Sequence, residues 1–211
     1  MRQALRYLTT VPLGAAVGIA AAAYTVRAGA FGSDVRVGPW ATGRDFGTAD
    51  ASARTRAVVA LRGLLALPAH EARYYTAATD DAGQPLDGRC IYFVEGGALP
   101  GKWWSLTIYD ADGYLAGSGP YSVESAEVER TRNGPGQPWA ANGRWVVVLT
   151  PKPDRPPDLP TSNLPRFELK FCTYLPANGD RGIALVRVLV EDRSRFAPID
   201  AARRIASCGP A

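Results

Sequence analysis

Histidine is almost missing from this chain of 211 residues: His70 is the only one, beside a single methionine, three lysines and three cysteines. One histidine excludes an HExxH zinc helix and leaves any Ser-His triad to be built around His70 alone. Two residues after Pro68, that side chain reads as a surface or capping group. Cys90, Cys172 and Cys208 have neither Cys-x-x-Cys spacing nor a histidine neighbour, so a zinc site and a thioredoxin-like redox pair are not expected. The stretch Gly117, Ser118, Gly119, Pro120 lacks the Gly-x-Ser-x-Gly spacing of a nucleophile elbow, and no phosphate loop or dinucleotide-binding glycine turn occurs. No metal and no cofactor is expected, and catalytic residues are unknown. A surplus of positive charge is scarce outside the amino terminus. The formal net charge is +4, but Arg2, Arg6 and Arg27 fall in the first thirty residues, which hold no acid, leaving the rest at +1. Binding a phosphate backbone needs a positive surplus, so no nucleic-acid partner is expected.

Charge is absent altogether from residues 8–26 (LTTVPLGAAVGIAAAAYTV), a run of 19 preceded by Arg2 and Arg6. At a helical rise of 1.5 Å per residue such a run approaches the ~30 Å hydrocarbon core, and the arginines keep its amino end in the cytoplasm. The expectation is a signal anchor over residues 1–30, a single pass through the inner membrane with the body in the periplasm. The alternative is a cleaved signal peptide and a soluble periplasmic body, because Ala28, Gly29 and Ala30 fit the small-x-small cleavage pattern, although Arg27 stands beside it. A buried globular helix is a third reading, since the run is rich in Ala and Gly rather than Leu. Export makes a disulfide reasonable. Joining Cys90 to Cys208 ties the carboxyl-terminal tail to the core; a bridge between Cys90 and Cys172 competes, because adjacent strands bring α-carbons within the ~4.4–6.8 Å required. Three small buried thiols are the remaining reading.

Residues 31–47 carry four Gly and one Pro without an apolar period, which reads as an extended linker that Trp40 and Phe46 can dock. Residues 48–67 then read as an amphipathic helix with Thr48 or Asp50 as cap, Val58, Leu61 and Leu65 on the apolar face, and Pro68 as the stop. From residue 71 the pattern is β. Residues 73–76 and 90–94, separated by turn residues at 80–88, form a hairpin candidate. Over 102–109 (KWWSLTIY), Trp104, Leu106 and Ile108 share one face and Trp103, Ser105, Thr107 and Tyr109 the other. Residues 145–150, 166–175 and 183–190 are further strands, the last also readable as a short buried helix. Six prolines between 151 and 165 predict a long exposed loop. The expected domain, residues 48–211, is mainly β: a jelly-roll-like antiparallel β-sandwich with one amino-terminal amphipathic helix, preceded by the transmembrane or signal segment.

Two kinds of side chain are candidates for a site. Asp110 and Asp112 straddle a strand end in YDADGYL; their plain reading is turn chemistry, in which Asp bonds nearby backbone amides and Gly113 takes positive φ. Glu124, Glu127 and Glu129 sit in a polar segment, and calcium needs more oxygen ligands in a longer pattern. Trp103, Trp104, Tyr109, Tyr114 and Tyr121 cluster within twenty residues, and strand alternation leaves one of the two tryptophans outside the core. A binding surface is therefore expected around Trp103, Tyr109, Asp110 and Tyr121, its partner an envelope glycan, lipid or protein. The rival is a hydrolase-like enzyme using Asp110, Asp112 or Glu95 in a cleft floored by Trp103.

The stretch 74–115 carries Asp81 and Gly83, then Leu86, Asp87, Gly88, then Leu99 and Pro100, then Trp104, Ser105, Leu106, Thr107 with Tyr109, Asp110, Ala111, Asp112, Gly113. Tyr121 with Ser122, and Asn163, Leu164, Pro165 followed by Phe167, Glu168, Leu169, Lys170, complete the pattern. Over roughly residues 45–176 it resembles the bacterial family called domain of unknown function 1214 (DUF1214). The resemblance implies a jelly-roll-like β-sandwich, often found beside a second domain of unknown function numbered 1254, with no established reaction. Short versions with one hydrophobic amino-terminal segment are most similar. Two positions depart from the family pattern: Pro120 stands where Arg commonly precedes Tyr-Ser, and Asn163 where Trp commonly precedes Leu-Pro.

Overall fold

The computed structural model describes residues 2–28, 35–61, 67–97, 99, 101–116, 119–132, 145–153, 158–161, 164–174 and 186–190. A long helix, α1 (Arg2–Ala28), comes first, followed by strands β1 (Val35–Val37) and β2 (Trp40–Thr42) and the helix α2 (Ala53–Leu61). Then come β3 (Ala72–Ala77), β4 (Tyr92–Gly96), β5 (Trp103–Asp110), β6 (Ser122–Glu124), the helix α3 (Ser125–Arg132), β7 (Trp145–Thr150), β8 (Leu159–Pro160), β9 (Phe167–Tyr174) and β10 (Arg187–Val190). The chain is thus mainly β with an amino-terminal helix. Its strands form a six-stranded sheet, β1-β2-β3-β9-β5-β6, and a four-stranded sheet, β10-β4-β7-β8. Among the described residues, all strand pairings are antiparallel except β7 with β8.

Period-2 alternation places one set of side chains from each sheet in a shared core. Trp104, Leu106 and Ile108 of β5, Leu169 and Phe171 of β9, and Tyr75 of β3 meet Tyr92 and Val94 of β4, Trp145, Val147 and Leu149 of β7, and Val188 of β10. At its centre the indoles of Trp104 and Trp145, one from each sheet, stack at 4.3 Å, and both stack on Phe171. Large aromatic rings bury much apolar area, so this cluster is a hydrophobic link between the two sheets.

Several expectations are corrected. Residues 73–76 and 90–94 do not form a hairpin: β3 pairs with β9, and β4 with β7 and β10, in different sheets. The turn between them crosses from sheet to sheet instead. Asp80 Oδ1 accepts from the amides of Ala82 and Gln84, Leu86 is fully buried, and Asp81 exchanges bonds with the Val188 backbone, its amide donating to Val188 O and its Oδ2 accepting from Val188 N. The linker read over 31–47 pairs into the sheet from Val35 onward, with Trp40 only 1% exposed and its Nε1 donating to Val186 O at 2.8 Å. The helix expected over 48–67 is shorter: it begins at Ala53, capped by Ser52 rather than Thr48 or Asp50, and Leu61 is exposed, while Leu65 lies outside the described residues. The proline-rich stretch is not wholly exposed. Asp158, Leu159 and Thr161 are buried, Thr161 N donates to Thr150 O, and Thr161 Oγ1 donates to Gly88 O.

Helix α1 covers the uncharged run, and its described side chains from Thr10 to Thr25 are all exposed. Among the described residues, no helix is long and apolar enough to cross a membrane. Its carboxyl-terminal end touches the body: Val26 packs against a small cluster of Phe46, Val58, Val59 and Tyr74, and Arg54 Nη2 donates to Thr25 O at 3.5 Å.

Candidate functional site

The outer face of β5 carries Trp103, Ser105, Thr107 and Tyr109, all half-buried, opposite the core-facing set. Register sets their neighbours: Trp103 lies opposite Tyr174, Ser105 opposite Cys172 and Glu124, Thr107 opposite Lys170 and Ser122, and Tyr109 opposite Glu168. The Trp103 indole Nε1 donates to Glu124 Oε2 at 3.0 Å, and the hydroxyls of Thr107 and Ser122 share a bond of 3.1 Å. The Lys170 ammonium is buried over the Tyr109 ring, 3.5 Å from its centroid, a cation–π contact removed from water. Burial pushes the Tyr109 phenol above its usual range, and pushes the free Cys172 thiol to about 11. A thiol held protonated is a poor nucleophile.

The remaining candidates fall elsewhere. Asp110 closes the turn after β5: its Oδ1 accepts from the amides of Asp112 and Tyr114, its own amide donates to Tyr114 O, and Gly113 takes φ 89°. This is the Asx turn expected of Asp-x-Asp-Gly. Trp103 and Asp110 are the first and last residues of an eight-residue strand, about 23 Å apart at ~3.3 Å per residue, so no single cleft joins them. Asp112 is exposed in that turn, and Glu95 lies in the other sheet, opposite Val146 and Arg187. Tyr121 is half-buried, its carbonyl accepting from Ile108 N; it comes one residue before Ser122, so it takes the opposite parity to the Trp103 and Tyr109 face. His70 is exposed, 3.7 Å from Glu71 Oε1. Among the described residues, no group of three or more His, Cys, Asp or Glu is placed to hold a metal. Cys90 is disulfide-bonded, and the other end of the expected bridge, Cys208, lies outside the described residues. Two contacts of this face were not foreseen from sequence: Glu124 holding the Trp103 indole, and Lys170 over Tyr109.

The carboxylates described with partners serve local structure. Asp45 accepts from Ser52 N and Thr55 Oγ1 at the start of α2, and these bonds hold its carboxyl below the usual range. Asp87 pairs with Arg89, which lowers it likewise. Asp80 and the motif residues Asp81 and Asp110 are turn-formers and strand ties.

Residues 71–178, just over half of the chain, match the family described as Protein of unknown function (DUF1214). The chain belongs to this family. Within the DUF1214 segment, Tyr109 to Gly113 form the end of β5 and its Asx turn. A crystal structure of the VPA0106 protein from Vibrio parahaemolyticus shares the fold, with a TM-score of 0.52 at 20% identity over 89% of this chain. This chain spans 46% of that protein's length. A protein from Burkholderia cenocepacia is less similar, with a TM-score of 0.38 and 20% identity, covering 65% of this chain and 34% of that one. No curated protein matches the chain.

Proposed function

We propose that this DUF1214 protein is a non-catalytic binding module of the cell envelope, built as a jelly-roll-like β-sandwich and held at the inner membrane by α1 with its body in the periplasm. The observation that carries the reading is the state of α1. Val11, Leu13, Val17, Ile19 and Tyr24 are each more than 60% exposed, on several sides of the helix. The described part of α1 does not by itself reach the length and apolarity of a membrane span, but exposed apolar side chains on several sides of a helix suit contact with a bilayer. Arg2 and Arg6 ahead of the run supply the positive-inside orientation. The contacts of Val26 and Thr25 with α2 make the end of α1 part of the body, which favours retention over cleavage. The disulfide at Cys90 suits an oxidising compartment. Two sheets sharing one core support the sandwich. The binding role draws on the half-buried Trp103 and Tyr109 face, and on the structural employment of Asp45, Asp80, Asp81, Asp87 and Asp110.

Fractionation tests the anchoring. The full chain is expected to remain in the membrane pellet after alkaline carbonate extraction, and a carboxyl-terminal alkaline phosphatase fusion is expected to be active. A soluble chain, or a fusion active only as a cytoplasmic reporter, overturns the reading. For the binding role, copurification of the anchored protein with analysis of bound lipid, glycan and protein is expected to yield a stoichiometric ligand lost on Trp103→Ala.

A further inference from the structure

We infer that the Trp103 end of the six-stranded sheet is itself a lipid-contacting surface, which seats the body in the headgroup layer beside α1; this rests on the membrane reading above. Five large hydrophobic side chains outside α1 are exposed among the described residues: Leu61, Leu67, Tyr114, Leu115 and Tyr174. Three of them gather where α1 meets the body. Leu61 ends α2, whose Val58 and Val59 pack with Val26 of α1 and with Tyr74. Leu67 N donates to the Tyr74 hydroxyl at 3.2 Å. Tyr74 lies opposite Cys172 on β9, two residues from Tyr174, which lies opposite Trp103. At strand spacings of ~4.8 Å and a rise of ~3.3 Å per residue, Trp103 and Tyr174 sit within about 12 Å of Tyr74 along the sheet.

The composition of this end is that of a membrane interface. Trp and Tyr concentrate at headgroup level because their rings are apolar and their N–H or O–H is polar. The Trp103 indole is built this way, its N–H turned to Glu124 and its ring half-exposed. Leu61 and Leu67 add aliphatic surface, 63% and 40% exposed. Exposed Arg54, bonded to Thr25 O, and exposed Lys102, whose amide donates to Tyr174 O, place a cation on each side, suited to anionic headgroups. The other two exposed hydrophobics, Tyr114 and Leu115, follow the far end of β5, the end away from α1. Headgroup layers add only ~5–8 Å beyond the hydrocarbon on each side, so the surface that meets them must lie close to where α1 joins the body.

The test is tryptophan quenching in vesicles of phosphatidylcholine and phosphatidylglycerol carrying bromine high on the acyl chain, with the full chain reconstituted. The wild-type protein is expected to lose part of its emission to bromine. The quenched part should fall by half or more in Trp103→Phe, a difference that separates Trp103 from the other four tryptophans. It should fall similarly in Leu61→Gln with Leu67→Gln, two exposed positions whose change leaves the core intact. Carbonate-resistant retention of all three proteins, with quenching identical among them, would show a body standing clear of the lipid and overturn the inference. A wild-type protein that is not retained overturns the membrane reading, and this inference with it.

Discussion

Trp103 and Trp104 are neighbours in sequence with opposite fates, and the difference is energetic as well as geometric. Trp104 is 8% exposed and stacked against both Trp145 and Phe171, whereas Trp103 is half-buried on the outer face. Trp104→Ala is expected to cost about 3–5 kcal/mol and Trp103→Ala clearly less, as read by urea melts of the folded protein. Equal losses would show that the rings do not divide between core and surface. Gly96 belongs to the same cluster. A Cβ there would lie 2.4 Å from Trp145 Cζ2, while one on Gly97 would meet nothing within 4 Å. Gly96→Ala therefore forces the Trp145 indole, which is bonded through Nε1 to Gly97 O, out of its stack. The expected cost is about 1–3 kcal/mol, against a near-neutral Gly97→Ala in the same melts. Alternation made Trp104 legible in the sequence as core and Trp103 as surface. Glu124 as the partner of Trp103 and Lys170 as that of Tyr109 were not legible, because they arrive from β6 and β9, which periodicity within β5 says nothing about. Asp110 had both readings open in sequence, and its bonds to the amides of Asp112 and Tyr114 decide for the turn.

At the scale of elements, strand positions were largely readable and strand partners were not. The runs that became β3, β5, β7 and β9 stand out by β-branched and aromatic content, but a period of two fixes only which face a side chain takes. Hence the false hairpin: β3 finds β9 nearly a hundred residues on, by a pairing no local turn announces. The β1–β2 hairpin did have a signal, Gly38 and Pro39 between Val37 and Trp40, with Gly38 at φ 58°. It was hidden by reading glycines as linker. The start of α2 is set by two acceptors: Ser52 Oγ takes the Thr55 amide, and Asp45 takes the Ser52 amide and the Thr55 hydroxyl. Ser52→Ala is expected to cost about 0.5–2 kcal/mol. Because these bonds lower the Asp45 carboxyl from its ordinary 3.8, the folded state holds its proton less tightly than the unfolded one. Its stabilising effect is thus present above that pH and lost as pH falls through the lowered folded value. Protection factors of the α2 amides, taken relative to the intrinsic exchange rate at each pH, should fall from pH 5 downward in the wild type, and that acid-dependent fall should vanish in Asp45→Asn, which cannot titrate.

For the whole molecule, the question is what fixes a chain whose two sheets are interleaved along the sequence. Hydrophobic burial supplies one answer, through the indole stack. A covalent one comes from Cys90, buried beside the 80–88 crossing turn and immediately before β4. Cys90 is bonded and Cys172 is a free thiol, so within a single chain the partner we propose is Cys208. Such a bridge closes a loop of roughly 120 residues, and in a chain-entropy model a loop of that size contributes about 4–5 kcal/mol before native strain is subtracted. It would also fasten the tail to the four-stranded sheet, the smaller of the two. Non-reducing peptide mapping of the purified protein is expected to link the Cys90 and Cys208 peptides and leave one thiol. That thiol, Cys172, should react slowly with an aromatic disulfide reagent at pH 8, because burial holds it protonated up to about 11, and faster after denaturation. Reduction should lower the melting temperature of the wild type and leave Cys208→Ser unchanged. A linked pair of Cys90 and Cys172 peptides, or three free thiols, would remove the bridge and with it the covalent tie between the tail and β4.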